Sequence, residues 1–154
     1  MAHSIQEYGG RSEIMNDLDI AMIGTVIINI VEQSKRKDFS PMIEFWKSCF
    51  DAYGPGTIDL HISDFITNET MREKLSSLLE QAAEIISAHP VFSMSDINKI
   101  SYQPKFASFK NYPTAVLLQA VDQLKHLIAI QPTTNNHPQA NQSTSNALIP
   151  EQAK

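Results

Sequence analysis

The chain has a single cysteine, Cys49, among its 154 residues. One thiol excludes an internal disulfide framework and suits a reducing compartment. Long apolar runs are missing as well. The longest nearly apolar stretch covers residues 18–31, and Asp19 and Asn29 interrupt it. It falls short of the ~20 residues that span a bilayer. Residues 1–12 are polar and contain no apolar stretch of the signal-peptide kind. A cytoplasmic protein is therefore expected. Cations are the minority, with Lys+Arg 12 against Asp+Glu 17 and a formal net charge of −5. Such a surface is repelled by phosphate backbones and anionic membranes, which makes a basic protein the natural partner. Glycine is too sparse for a phosphate-cradling loop, since Gly9-Gly10 is the one adjacent pair. None of His3, His61, His89, His126 and His137 has a second histidine three or four residues away, the spacing that helical metal sites use.

Hydrophobic periodicity supplies most of what is present. A first helix is expected over residues 13–37, capped by Ser12. Glu13, Asp17 and Asp19 lie near its start and Lys35, Arg36 and Lys37 at its end, which suits the helix dipole. Ile20, Ile23, Ile27, Ile28, Ile30 and Val31 point nearly all round this helix. It is therefore either central to the core or buried in a homo-oligomer interface. The β-branched run Thr25-Val26-Ile27-Ile28 would also suit a buried strand. A second helix starts at Ser40-Pro41, with Ser40 as cap, and ends before Gly54-Pro55. Its stripe of Met42, Phe45, Trp46, Cys49, Phe50 and Tyr53 places Trp46 and Phe50 in the core. Ile58, Leu60 and Ile62 alternate with Asp59 and His61, a pattern for a short strand, an extended segment or a short helix from Ser63.

A third helix is expected over residues 69–88, capped by Thr67 or Asn68 and stopped by His89-Pro90. Ser95 is expected to cap a short helix over 96–100. Residues 101–112 read as irregular, and a last helix begins near Pro113-Thr114. Beyond Pro132 the chain is mostly Gln, Asn, Thr, Ser and Pro. Such a segment buries too little to offset its ordering entropy. The expected organisation is a flexible arm over 1–11, one helical domain over 12–131 and a disordered tail over 132–154. The fold is then mostly α, a bundle of four to five helices. The alternative is an α/β fold with one or two short strands at 25–31 or 58–62.

Few residue groups carry chemistry. Cys49 lies on the apolar stripe between Trp46 and Phe50 and reads as a small buried hydrophobe rather than a nucleophile. His61 stands between Asp59 and Asp64, a thin set for a small enzyme or a metal site. Over residues 99–112, Lys99, Lys105 and Lys110 interleave with Tyr102, Phe106, Phe109 and Tyr112. Such interleaving can bind single-stranded nucleic acid, or it can be a loop pinned by its aromatics. On the third helix Glu69, Glu73, Glu80 and Glu84 fall within about 60° of one another, opposite the apolar stripe. Glu69/Glu73 and Glu80/Glu84 are like-charge pairs four residues apart, each mildly destabilising.

These features point to a non-enzymatic protein-binding module without a cofactor. Its candidate contact residues are Glu69, Glu73, Glu80, Glu84, Asp59 and Asp64. In size, charge and helical style the chain resembles small acidic bacterial immunity proteins, which implies a basic partner such as a toxin. Small acidic chaperones and adaptors share that profile.

Overall fold

The computed structural model describes residues 1–105 and 111–129. The expected disordered tail over 132–154 lies outside the described residues. Two antiparallel strands open the chain, β1 (His3–Tyr8) and β2 (Arg11–Asn16). Gly9 and Gly10 join them, both at positive φ (59° and 79°), which is what a two-residue hairpin turn with the right twist requires. The chain is thus a hairpin where a loose arm over 1–11 and a helix from residue 13 were expected. Its inward face is Ser4, Gln6, Tyr8 and Met15, with Ile5 and Ile14 paired on the solvent side. Polar residues inward and isoleucines outward invert the usual amphipathic strand.

Helix α1 (Asp17–Ser34) starts one residue after Asn16, whose side chain accepts the Leu18 N–H at 2.9 Å. Asp17 and Asp19 occupy its first turn. Every residue from Ile20 to Asn29 is buried, so α1 is the central helix, packed against α2 (Ser40–Asp51), α4 (Glu69–Ser87) and α5 (Thr114–Ala129). Thr25 to Ile28 is helical, not a strand, and burial inside one chain accounts for the all-round apolarity. Lys35 ends the helix at φ 53°, and the N–H groups of Lys35 and Arg36 satisfy the carbonyls of Glu32 and Val31. Lys35, Arg36 and Lys37 therefore lie beyond α1, not in its last turn. Gly24 of α1 lies against the Phe50 ring of α2. A Cβ there would stand 2.5 Å from Phe50 Cζ.

A 3-10 turn (Lys37–Phe39) leads directly into α2, so Ser40 is its first residue and not its cap. Met42, Ile43, Trp46 and Phe50 form the buried stripe, with Phe45 and Cys49 half-buried. Trp46 is a core residue, and its indole N–H donates to the Leu60 carbonyl at 2.9 Å. Residues 57–61 form no regular element, and α3 (Ile62–Phe65) is a single turn. Ile58 and Leu60 are buried while Asp59 and His61 are exposed, yet no strand ladder among the described residues holds them. Side chains of β1 take that place. The Gln6 amide donates to Ile58 O at 2.7 Å and accepts from Leu60 N at 3.0 Å. The Ser4 hydroxyl accepts from Ile58 N at 3.0 Å.

Asn68 caps α4 through the Met71 N–H at 2.9 Å, and Leu75, Leu78, Leu79, Ala82 and Ile86 face the core. Strands β3 (Val91–Phe92) and β4 (Tyr112–Pro113) form a second antiparallel pair. The short helix expected over 96–100 is instead a 3-10 turn, Met94–Asp96. Ser93, not Ser95, caps it, with Asp96 returning a bond to the Ser93 N–H. The architecture is mostly α, with five α-helices and two short antiparallel strand pairs among the described residues. None of these helices is long and apolar enough to cross a membrane. Every buried side-chain nitrogen and oxygen among the described residues has a hydrogen-bond partner.

Candidate functional site

The structure brings Asp59, His61 and Asp64 together. His61 sits at φ 46°, a left-handed conformation costly for a residue with a Cβ. Its N–H is held by Asp59 Oδ1 at 2.9 Å. Its Nδ1 lies 3.0 Å from Asp64 Oδ2 and its Nε2 lies 3.4 Å from Asp59 Oδ2. The ring stands edge-on to Phe45, with centroids 5.1 Å apart. All three polar side chains are about half-exposed or more. Among the described residues no group of three or more His, Cys, Asp or Glu is placed to hold a metal ion.

Cys49 is half-buried one layer below, with Sγ 3.7 Å from the Asp59 carbonyl oxygen. Burial, and then the Asp59 charge, push its thiol above the ordinary value. That disfavours the thiolate a nucleophile would need. Between α1, α2, α4 and α5 the core leaves an apolar cavity of about 10 Å³, which includes Gly24 and Trp46 in its wall. That is about the room one water needs, and the described side chains around it are apolar.

The four glutamates of α4 share one exposed face, and two of them are engaged within the chain. Glu69 pairs with Arg72, whose guanidinium also donates to the Ala129 carbonyl at 3.2 Å at the end of α5. Glu80 meets Lys125 of α5 at 3.5 Å. Glu73 and Glu84 are exposed and form no ion pair among the described residues. The ridge is thus narrower than four equivalent carboxylates. Asp59 and Asp64 belong to a separate group on the 57–66 segment.

Residues 106–110, with Phe106, Phe109 and Lys110, lie outside the described residues. The flanking aromatics face carboxylates of their own chain. Tyr102 OH donates to Asp51 Oδ1 at 3.1 Å, and Tyr112 OH donates to Asp19. Burial and then the bonded carboxylate push both phenols up. Asn29 of α1 fixes the Tyr102 backbone through Tyr102 O at 2.9 Å and Tyr102 N at 3.2 Å. Tyr102 and Tyr112 are thus each anchored to the helical body.

One polar group was missed from the sequence. Asp17 is fully buried, accepting the Ser4 hydroxyl at 2.5 Å and the Gly56 N–H at 2.7 Å. Only the hairpin brings Ser4 to it, and Gly9-Gly10 was the signal that could have announced that hairpin. Compared with known proteins, the chain matches no family model, no curated protein and no solved structure.

Proposed function

We propose that this chain is a non-enzymatic protein-binding module of the cytoplasm whose partner presents a basic surface, as a toxin does to its immunity protein or a client to an acidic chaperone. The observation that carries this reading is the state of Glu73 and Glu84. Both are exposed on the face of α4 opposite its buried stripe, and neither has an ion pair among the described residues. Glu73 also lies one turn from Glu69, so its charge weakens the isolated helix rather than supporting it. A basic partner would turn that cost into attraction and would set the association rate. Asp59 and Asp64 extend the supply of exposed carboxylates on a neighbouring segment.

The test is affinity capture from host cytosol with the wild type and with Glu73→Lys/Glu84→Lys. This pair spares Glu69 and Glu80, which hold Arg72 and Lys125. The expected result is a basic protein retained by the wild type and lost by the variant. Identical captured sets would remove the α4 face from the reading. A second reading, a small enzyme or metal-binding protein using Asp59, His61 and Asp64, draws on the approach of two carboxylates to one imidazole. Saturable zinc binding by the purified chain, lost in His61→Ala, would favour it instead.

A further inference from the structure

Among the described residues, Lys47, Arg72, Lys74 and Lys125 each hold a carboxylate at ion-pair distance. Lys35, Arg36 and Lys37 hold none, although they follow one another in an acidic chain. The ordinary explanation for such a run is a helix C-terminus. Here the last turn of α1 contains no basic residue, and backbone N–H groups already satisfy the carbonyls of Val31 and Glu32. The three cations instead line an open groove of about 330 Å³ between the end of α1 and the start of α2. Val31 and Ile43, both buried, form its apolar floor, and Ser40 stands at its rim. Glu32 and Glu44 also border it, but Lys47 holds both of them. Burial alone would raise the Glu32 carboxyl, yet hydrogen bonds from Lys47 and Ser101 and the Lys47 charge hold it below its ordinary value. Lys47 offsets one of those two carboxylate charges, and Lys35, Arg36 and Lys37 form no ion pair among the described residues, so the groove keeps a net positive charge.

We propose that this groove binds a small phosphate-bearing ligand, with Lys35, Arg36 and Lys37 on its phosphate oxygens and its organic body over Val31 and Ile43. A guanidinium meets a phosphate through paired N–H donors, and lysines beside it add point charge. The volume is within the range of small-molecule sites. The net charge of −5 does not oppose this at short range, because salt screens charges more than about 10 Å away. The site is independent of the α4 face. Its phosphate can come from a soluble ester or from a lipid headgroup.

Calorimetric titration of the full chain with inorganic pyrophosphate tests the soluble source, and co-sedimentation with phosphatidic acid vesicles tests the lipid source. The expected result is saturable, single-site pyrophosphate binding that weakens about tenfold or more in Arg36→Gln/Lys37→Gln. Arg11→Gln/Lys105→Gln, which removes the same charge elsewhere, should bind like the wild type. All four side chains are solvent-accessible at least in part, so both variants should fold. Binding to vesicles alone, lost in Arg36→Gln/Lys37→Gln, would support the site and assign it to a lipid phosphate. No saturable binding to either probe, or equal weakening in both variants, would overturn the proposal.

Discussion

Asp17 carries a carboxylate into the protein interior, where no described cation pairs with it. Two donors and one field make this tolerable. The Ser4 hydroxyl and the Gly56 N–H bond it directly, and its place in the first turn of α1 puts it at the positive end of the helix dipole. Burial, and then the Asp17 charge, push the Tyr53 phenol up. The residue ties the hairpin, the central helix and the 53–57 turn together. Asp17→Ala leaves those donors without their acceptor, which costs about 1–3 kcal/mol for each buried group left unsatisfied. The expected outcome is a loss of about 3 kcal/mol or more in urea unfolding. A loss under about 1 kcal/mol would mean that water reaches these groups in the folded state. Trp46 is the opposite case. Its position on a three-and-four spacing was readable directly, and the structure adds the Leu60 carbonyl as partner for its indole.

At the scale of elements, legibility followed the identity of the inward-facing residues. Helices α2, α4 and α5 bury apolar side chains at helical spacing, and their extents were read to within a few residues. The hairpin buries Ser4 and Gln6 and exposes Ile5 and Ile14, so hydrophobic periodicity misassigned it. The alternation of Ile58, Leu60 and Ile62 was real, but its cause is a pair of polar side chains on β1 rather than a neighbouring strand. Asp59, His61 and Asp64 were grouped correctly because they are near in sequence, whereas the groove of Lys35, Arg36 and Lys37 required knowing that α1 ends at Ser34. Gln6→Ala tests the side-chain ladder. Hydrogen exchange should accelerate at the Leu60 amide, which loses its acceptor, and much less at the Ile58 amide, which keeps Ser4. Equal protection in wild type and variant would contradict the arrangement.

A second element-scale prediction concerns α1 against α2. Lys47 joins Glu32 across these helices, with both side chains mostly covered. Glu32 titrates below its ordinary value in the folded state, since the bonds and charge from Lys47 outweigh burial. The unfolded chain therefore binds the proton first as pH falls. The contribution is complete above the ordinary carboxylate range and is lost as pH drops through the lowered folded value. Glu32→Gln should cost about 1 kcal/mol at neutral pH and nothing once the wild-type carboxyl is protonated. Denaturation midpoints of the two proteins across that range should converge on acidification. A constant gap would assign the loss to packing.

At the scale of the whole molecule, two groups of charge without an ion pair among the described residues lie on different elements. Lys35, Arg36 and Lys37 gather where α1 turns into α2, while Glu73 and Glu84 stand on α4. Other cations join separate elements, as Lys74 holds Asp38 at 2.9 Å and Lys125 meets Glu80. A surface built for stability alone would place Lys opposite Glu73, so the proposed role of α4 predicts separable effects on folding and on binding. The direct measurement is the association rate of a captured partner with the wild type and with Glu73→Lys/Glu84→Lys, each followed from low to high ionic strength. The account predicts that the variant is as stable as the wild type, associates more slowly at low salt and loses most of the wild type's salt dependence. Association rates that coincide at every salt concentration, with folding intact, would contradict it.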